Sequence, residues 1–248
     1  MAEGRRVAVI TGGSSGIGAA TARRLHAEGF DVIAGARRMA KLREVTDPIG
    51  ATAIALDVRY HTSVEAFAAQ VPRCDVLVNN AGGALGLEPL AEADEDHWRQ
   101  MWETNVLGLM LVTRALLPKL IASGNGHIVN VGSIAGFEAY PGGAGYTSVK
   151  HGVRAISRTL RLELIGKPVR VTEIDPGMVE TEFSVVRFAG DEQRASKVYE
   201  GMTPLTGDDI ADCIAWAVTR PRHVNIDEMV VRPLAQATAM QVARNAGL

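Results

Sequence analysis

Tyr146 and Lys150 stand four residues apart in the chain. On an α-helix this spacing puts the phenol and the ammonium on one face, about 5.4 Å apart along the axis. A tyrosine has an ordinary pKa of about 10, and a neighbouring cation favours the phenolate and lowers that pKa. The pair could therefore act as a general acid and base near neutral pH. The same spacing is common on solvated helix faces, so the surrounding motifs decide between the two interpretations.

Two more polar residues could serve the same chemistry. Ser133 follows a predicted strand thirteen residues before Tyr146, and Asn105 lies in a predicted long helix. A serine hydroxyl can donate a hydrogen bond to a reacting substrate oxygen. Asn105 taken alone equally fits a polar residue inside a helix whose side chain is satisfied by a backbone carbonyl.

A glycine-rich segment, residues 11–18, lies between the first predicted strand and a predicted helix over residues 17–28. Backbone N–H groups and the positive end of a helix can meet a pyrophosphate there, and glycines let the backbone approach closely. The glycine spacing differs from the common Gly-x-Gly-x-x-Gly fingerprint, and a turn without a ligand is the alternative. The predicted cofactor contacts in this loop are Gly12, Ser14, Ser15, Gly16, Ile17 and Gly18.

The end of the second predicted strand distinguishes between the two nicotinamide cofactors. An NAD site usually places an acidic residue there, whereas this chain has Ala36 followed by Arg37 and Arg38. An arginine suits a 2′-phosphate because it donates paired, charge-assisted hydrogen bonds. The sequence therefore predicts NADP(H), with Arg37 as the first candidate and Arg38 as the second.

Seven short apolar runs predict strands, at residues 7–10, 32–34, 53–56, 76–78, 128–131, 169–174 and 229–231. Helix-length segments separate them, and the longest predicted helices cover residues 97–123 and 146–165. Strands that alternate with helices form a parallel sheet covered on both faces. We predict an α/β fold: one doubly wound Rossmann-type domain over residues 1–248, with about seven parallel strands and helices on both faces.

Composition excludes several classes of function. The chain has 248 residues, 47% of them hydrophobic, and a net charge of −2, which gives no electrostatic footprint for nucleic acid or an anionic membrane. The two cysteines and six scattered histidines form no zinc motif, so no metal is expected. Arg114 and Lys119 interrupt the most apolar stretch, so we expect no membrane span, and we predict a cytoplasmic location.

The chain resembles the short-chain dehydrogenase/reductase family. Its glycine loop, the Asn-Asn-Ala-Gly turn at residues 79–82, Ser133 with Tyr146 and Lys150, and a Pro-Gly pair at residues 176–177 occur in that family's order. The resemblance implies hydride transfer between NADP(H) and a carbonyl or alcohol. In this chemistry Ser133 and Tyr146 contact the substrate oxygen, Lys150 lowers the tyrosine pKa and binds the nicotinamide ribose, and Asn105 holds a relay water.

The same resemblance implies further contacts to the cofactor. Asp57 should reach the adenine amine, Asn79 and Gly82 should line the ribose and adenine side, and Thr181 with the Val179 backbone should meet the carboxamide. The complete set beyond the glycine loop and the two arginines is Asp57, Val58, Asn79, Ala81, Gly82, Tyr146, Lys150, Pro176, Gly177, Val179 and Thr181.

Residues 162–205 resemble the NADP-dependent 3-hydroxy acid (serine-type) dehydrogenase branch. This implies a small 3-hydroxy acid as substrate and a substrate lid over about residues 181–205. Ser133, Tyr146 and Arg187 are the candidate substrate contacts. Arg187 could clamp a carboxylate, or it could be an exposed or lid-anchoring arginine.

Two other functions remain open. One is reduction of a different carbonyl, such as a 3-oxoacyl thioester, a sugar or a natural-product aldehyde. The other is a non-catalytic regulator that senses NADP, against which the intact set of Asn105, Ser133, Tyr146 and Lys150 argues. The family resemblance also implies a homotetramer or homodimer, paired through the two long helices and a strand near residues 229–233.

Overall fold

The computed structural model describes residues 5–245. Seven strands form one sheet in the order β3-β2-β1-β4-β5-β6-β7, and every neighbouring pair is parallel. The predicted Rossmann-type fold is confirmed. The strands are β1 Val7–Thr11, β2 Asp31–Ala36, β3 Thr52–Ala55, β4 Val76–Asn79, β5 Gly126–Val131, β6 Val169–Pro176 and β7 Glu228–Val231.

The helices lie between the strands and cover both faces of the sheet. They are α1 Gly16–Ala27, α2 Met39–Thr46, α3 His61–Gln70, α4 Glu95–Trp102, α5 Gly108–Ala122, α6 Ala144–Glu163, α7 Glu182–Arg187, α8 Glu192–Lys197 and α9 Gly207–Val218. Short 3-10 turns occur at Asp47–Ile49, Leu90–Glu92 and Ile134–Gly136.

Two hydrophobic cores lie on opposite faces of the sheet. On one face Phe67 of α3 and Leu116 of α5 are fully buried against the strands. On the other face Leu25 of α1 packs with Ile210 and Ile214 of α9. Burial on both faces explains why the strands are continuous apolar runs rather than alternating patterns.

The predicted helix at residues 97–123 extends from Glu95 to Ala122, and one turn of π-helix, Glu103–Leu107, joins α4 to α5. Such π turns occur often at functional sites. By length and composition this helix could cross a membrane, although 44% of its most apolar window is buried inside the fold. Its buried residues, including Leu116 and Leu120, pack against the sheet as in a core helix.

The strand order reverses at β1, which lies between β2 and β4. Loops that leave the carboxyl ends of β1 and β4 therefore run to opposite sides and leave a crevice between them. In open α/β sheets this crevice is where ligands bind.

Candidate active site

The carboxyl ends of the strands open into one cleft of about 610 Å³. Most of the predicted site residues line it, although they come from widely separated segments. The predicted residues in the cleft wall are Gly12, Ser14, Ser15, Gly16, Ile17, Arg37, Arg38, Asp57, Val58, Ala81, Gly82, Ser133, Tyr146, Lys150, Pro176, Gly177, Val179, Thr181 and Arg187. Three predicted residues, Gly18, Asn79 and Asn105, do not line the cleft.

The glycine loop forms a cradle of backbone. Gly12 and Gly16 have φ angles of 70° and 52°, a left-handed conformation that favours glycine. A side-chain carbon at Gly16 would lie 3.2 Å from Thr181 across the cleft and would narrow it. Asn80 pins the loop, because its Nδ2 donates to the carbonyls of Thr11 and Gly12 at 3.0 and 3.1 Å. This cradle, at the start of α1, fits the pyrophosphate of a dinucleotide.

Two predicted cofactor contacts in this half, Gly18 and Asn79, do not line the cleft and make structural contacts instead. A side-chain carbon at Gly18 would collide with the carbonyl oxygen of Gly12, so this glycine packs α1 against the loop. Asn79 is 5% exposed and donates to Thr113 Oγ1 and Asn130 Oδ1, each at 2.9 Å. The strand β4 extends to Asn79, one residue beyond its predicted end, so this side chain turns inward and Asn80 lines the cleft instead.

The basic residues after β2 meet an acid from the opposite side of the cleft. Arg38 Nη2 donates to Ser15 Oγ and to Glu182 Oε2, both at 2.8 Å, while Lys41 Nζ lies 2.6 Å from Glu182 Oε1. Lys41 and Arg38 together lower the pKa of Glu182 to about 2. The first turn of α7 therefore reaches across the cleft to the start of α2.

The two arginines at this end of the cleft differ in their setting. Arg37 is exposed at the rim, whereas Arg38 is held by Ser15 and Glu182. Three positive groups therefore surround the carboxyl end of β2, where the ribose of a dinucleotide lies in this fold. The charges fit the 2′-phosphate that NADP carries and NAD lacks.

Asp57 lines the cleft after β3, but its carboxylate already has a partner. Arg59 donates to it from Nε at 3.0 Å and from Nη2 at 2.6 Å. These side-chain hydrogen bonds are the main reason that the pKa of Asp57 is lowered. An adenine amine would have to share oxygens that Arg59 uses, so the predicted contact stays a prediction.

Tyr146 and Lys150 lie on one face of α6, as the spacing predicts. Lys150 Nζ donates to the carbonyl of Val131 at 2.8 Å and lies 5.7 Å from the centre of the Tyr146 ring. Burial lowers the pKa of Lys150 to about 8 and raises the pKa of Tyr146 to about 12. A hydrogen bond with Ser133 and the charge of Arg187 partly offset this rise. Val131 holds the Lys150 ammonium in this structure, and Arg187 supplies the charge that opposes the rise. The expectation that Lys150 lowers the tyrosine pKa stays a prediction.

Ser133 lies two residues beyond the end of β5, at the start of a 3-10 turn. Its backbone N–H donates to Asp175 Oδ1 at 2.8 Å, and its hydroxyl oxygen accepts from the N–H of Ala135 at 3.1 Å. These two bonds fix the backbone and the hydroxyl beside Tyr146. The hydroxyl donates to the carbonyl of Pro176 at 3.5 Å. This bond is long, so a substrate oxygen could take its place.

Asn105 lies in the π turn and is 2% exposed. Its Nδ2 donates to the carbonyls of Met101 and Gly83 at 2.8 and 2.9 Å, and its Oδ1 accepts from the N–H of Gly83 at 3.2 Å. The side chain thus holds the loop after β4 at the edge of the cleft. Backbone groups satisfy the Asn105 side chain, in line with its interpretation as a polar residue inside a helix. The relay water stays a prediction.

Helix α7 lies in the segment predicted to form the substrate lid, residues 181–205, and its last residue, Arg187, lies next to the tyrosine ring. Its Nε donates to the carbonyl of Gly86 at 2.9 Å and its Nη1 to Tyr140 Oη at 3.3 Å. The guanidinium carbon lies 5.8 Å from the centre of the Tyr146 ring, and Nη2 is buried without a hydrogen-bond partner among residues 5–245. Arg187 therefore anchors the lid and also presents one unused donor beside the tyrosine.

Several residues of the cleft wall carry no signal in the family motifs. They include Tyr199 of the lid and, from the C-terminal segment, Gln236 and Met240. Gln236 accepts from the N–H of Met178 at 2.8 Å, which ties this segment to the loop after β6. Only tertiary packing brings them to the cleft. Within residues 5–245, no group of three or more His, Cys, Asp or Glu residues is arranged to hold a metal ion.

Comparison with known proteins agrees with this geometry. The sequence profile described as short chain dehydrogenase matches residues 6–191. An uncharacterized oxidoreductase of Mycobacterium tuberculosis (strain ATCC 25618 / H37Rv) is 61% identical over 239 residues, which cover 96% of this chain and 95% of the relative. The NADP-dependent 3-hydroxy acid dehydrogenase YdfG of Salmonella typhi is 44% identical over 240 residues, or 94% of this chain and 97% of that protein.

A solved structure is similar over nearly the whole chain. The closed form of a serine dehydrogenase complexed with NADP+ superposes with a TM-score of 0.92 and 41% sequence identity, covering 96% of this chain and 99% of that one. The profile match, the relatives and the fold all agree with the motifs in the cleft. The chain belongs to the short-chain dehydrogenase family.

Proposed function

We propose that this oxidoreductase transfers hydride between NADP(H) and a small 3-hydroxy acid or a similar secondary alcohol. The observation that carries the proposal is the position of Arg187, whose buried and unpartnered Nη2 lies beside Tyr146. A cation next to the proton-transferring residue suits a substrate with a carboxylate close to its hydroxyl group. The names of the YdfG and serine dehydrogenase relatives support the same substrate class.

The cofactor half of the cleft fits NADP(H). The glycine loop would hold the pyrophosphate, and Arg38, Arg37 and Lys41 would surround the 2′-phosphate. Thr181 and the backbone of Val179 would meet the carboxamide at the opposite end. Bound NADP(H) supplies or accepts the hydride, and the residues of this chain manage the proton and the orientation of the substrate.

Tyr146 would transfer the proton at the substrate oxygen. Because burial raises its pKa to about 12, the phenol is protonated at neutral pH and is ready to donate in the direction of carbonyl reduction. Ser133 would donate a second hydrogen bond to the same oxygen. The pKa of Lys150, lowered to about 8, lets this ammonium exchange a proton near neutral pH.

Arg187 would bind the carboxylate of the substrate. Its Nε and Nη1 are held by Gly86 and Tyr140, so the planar guanidinium has a fixed orientation. The free Nη2 would then donate to one carboxylate oxygen, while the 3-hydroxyl group points at Tyr146 and Ser133. The two ends of a small 3-hydroxy acid would thus be held by opposite walls.

A substrate panel tests the proposal directly. Small 3-hydroxy acids, matched secondary alcohols and 3-oxo thioesters are offered with NADP and with NAD, and the absorbance of the reduced cofactor is followed. We expect the highest kcat/KM with a 3-hydroxy acid and NADP. A preference for a 3-oxo thioester or a neutral alcohol would identify the other carbonyl reductases as the right class. Better turnover with NAD would contradict the assignment of the arginines.

We also propose a homotetramer or homodimer. Apolar side chains are exposed along the predicted helix pair and near β7: Trp102 is 44%, Leu107 40% and Met110 37% exposed, and Leu234 is 84% exposed. Such side chains support association through these faces. Light scattering checks the expectation, and a stable monomer at micromolar concentration would refute it. The cytoplasmic location stays a prediction.

A further inference from the structure

A row of polar side chains crosses the sheet beneath the active site. The parallel register places Asn79, Asn130, Glu173 and Glu228 side by side on β4, β5, β6 and β7. Side chains in register on neighbouring strands project to the same face of a sheet. The two amides are hydrogen-bonded, since Asn79 Nδ2 donates to Asn130 Oδ1 at 2.9 Å. Glu173, in contrast, brings a carboxyl group inside the protein, where it is 2% exposed.

A second carboxyl group, that of Asp175, lies two residues along β6 on the same face and is fully buried. It is close enough to Glu173 for the charge of that residue to raise the pKa of Asp175. A side-chain carbon at Gly132 would collide with Asp175 Oδ1 and would lie 2.7 Å from Glu173 Oε1. Both carboxyl groups therefore flank the same point of the backbone, in the loop that connects β5 to Ser133.

A hydrogen bond between these carboxyl groups would require a proton. Asp175 Oδ2 and Glu173 Oε1 find no N–H or O–H donor among the described residues around them. Two carboxylates can only repel each other, whereas a carboxylic acid donates to a carboxylate. Two acids this close in a dry interior cannot both be charged, so the pair keeps one proton and one negative charge.

The pair also touches the groups that we place in the chemistry. Asp175 Oδ1 accepts from the backbone N–H of Ser133 at 2.8 Å. Lys150 Nζ donates to the carbonyl of Val131, the residue that precedes Gly132. The carboxyl groups flank Gly132, and the Lys150 ammonium binds the carbonyl of the residue just before it. The negative charge of the pair therefore lies close to the buried ammonium.

We propose that Asp175 and Glu173 share one proton and act as a single positioning unit, which fixes Ser133 through its backbone and provides the buried negative charge facing Lys150. Burial and the charge of Glu173 raise the pKa of Asp175 to about 8, so Asp175 holds the proton at neutral pH. Burial lowers the pKa of Lys150, and the negative charge of the carboxyl pair opposes that shift. The other charged or titratable groups around the pair are Tyr146 and Arg154 on α6, Arg187 on the lid and Glu228 on β7.

Glu228 is the natural control for the pair. It stands opposite Glu173 in the register of β6 and β7, but its Oε1 lies 2.7 Å from Arg154 Nη2. Its charge is therefore already balanced by a neighbouring cation. Glu228→Gln removes a carboxylate from the same polar row without changing the charge that Lys150 faces most closely.

The experiment uses Asp175→Asn, Glu173→Gln and the double variant, with the pH dependence of kcat for NADPH-driven reduction. Each single variant keeps one carboxyl group that can carry the single charge, so its alkaline limb should stay within about 0.3 pH units of the parent. The double variant keeps none, and Lys150 then loses its proton more easily. Its alkaline limb should move to lower pH by about one unit or more. Glu228→Gln should behave like the parent.

The pattern among these variants decides the outcome. If each single variant shifts the alkaline limb and the double variant shifts it by the sum, the two carboxyl groups carry independent charges. That result would overturn the proposal. A double variant with the parent profile would overturn it as well. Asp175→Ala removes the acceptor for the Ser133 N–H and should lower kcat at least about tenfold while NADPH binding is unchanged. Full activity of this variant would remove the positioning role.

A second measurement is independent of turnover, since the inference rests on the proposed oxidoreductase function. Infrared spectra of the purified protein at neutral pH should contain a band from a buried protonated carboxyl group. The band should disappear in Asp175→Asn and in Glu173→Gln, because the remaining acid ionises in each. Absence of the band in the parent would overturn the shared proton. If the band behaves as expected but no 3-hydroxy acid is turned over, the proposed substrate fails while the pair stands.

Discussion

The two halves of the cleft are built in different ways. In the cofactor half the backbone makes the surface, through the left-handed glycines Gly12 and Gly16 and the bonds from Asn80 to the loop. In the substrate half side chains make it, and Arg187 reaches partners 47 and 101 residues away in the sequence. A backbone surface tolerates few residue types and so leaves a motif. A surface of distant side chains is free to vary, and we propose that this half selects the substrate.

Tyr146→Phe should separate the two halves most sharply. Loss of the phenolic proton should lower kcat by about a hundredfold to ten-thousandfold, the range that general acid catalysis contributes. The dissociation constant for NADPH should change little, because the glycine loop and the arginines are intact. Steady-state kinetics and fluorescence titration with NADPH measure both quantities. Tyr60→Phe, which removes the hydroxyl of an exposed tyrosine outside the cleft, is the matched control. Unchanged turnover in Tyr146→Phe would refute the proton transfer.

Arg38→Ala should disturb only the cofactor half. The 2′-phosphate loses a charge-assisted hydrogen bond, which is worth about 1.5–3 kcal/mol, so KM for NADPH should rise about tenfold to a hundredfold. KM for NADH should stay within about threefold, since that cofactor has no phosphate at this position.

Arg37→Ala is the matched variant for the same site. We expect a smaller effect from it than from Arg38→Ala, because Arg37 lies exposed at the rim whereas Ser15 and Glu182 hold Arg38. The sequence predicts Arg37 as the first candidate contact to the 2′-phosphate and Arg38 as the second. A larger effect of Arg37→Ala than of Arg38→Ala would support that ranking. Equal losses for NADPH and NADH in both variants would show that neither arginine reads the phosphate.

Glu182→Gln should have the smallest effect, because its ion pairs with Arg38 and Lys41 are about half exposed. Such pairs contribute up to about 1 kcal/mol. The pKa of Glu182 is lowered, so its contribution is present above the unfolded-state pKa of about 4.3 and is lost as the pH falls toward 2.

Thermal unfolding of Glu182→Gln and the parent at several pH values measures this contribution. The difference in Tm should be largest near neutral pH and should narrow below about pH 4. Glu180→Gln, an exposed neighbour in the same loop, should show no such trend. A difference in Tm that grows at acidic pH would contradict the assigned ion pairs.

The fold and the cofactor half could be predicted because their signals are local. Apolar runs separated by helix-length segments predicted all seven strands, and the glycines marked the loop whose φ angles require them. The end of a strand is harder to predict, because one residue decides the direction of a side chain. The strand β4 includes Asn79, whose side chain is buried and donates to Thr113 instead of lining the cleft.

The substrate half could be predicted only in part. The spacing of Tyr146 and Lys150 was sufficient to place both on one face of α6, but not to show that Val131 holds the ammonium. Nor could it show that burial raises the tyrosine pKa or that Arg187 supplies the opposing charge. These effects depend on packing between α6, β5 and the lid, and no local pattern encodes them.

The most direct test of the substrate half compares a 3-hydroxy acid with its neutral amide in the parent and in Arg187→Ala. Arg187→Lys is the control, because it keeps the positive charge but lacks the planar guanidinium. We expect Arg187→Ala to lower kcat/KM for the acid by about a hundredfold, since a bond between charged partners is lost, and to change that for the amide less than about threefold. Equal losses for the acid and the amide would contradict carboxylate recognition by Arg187 and leave it only as an anchor of the lid.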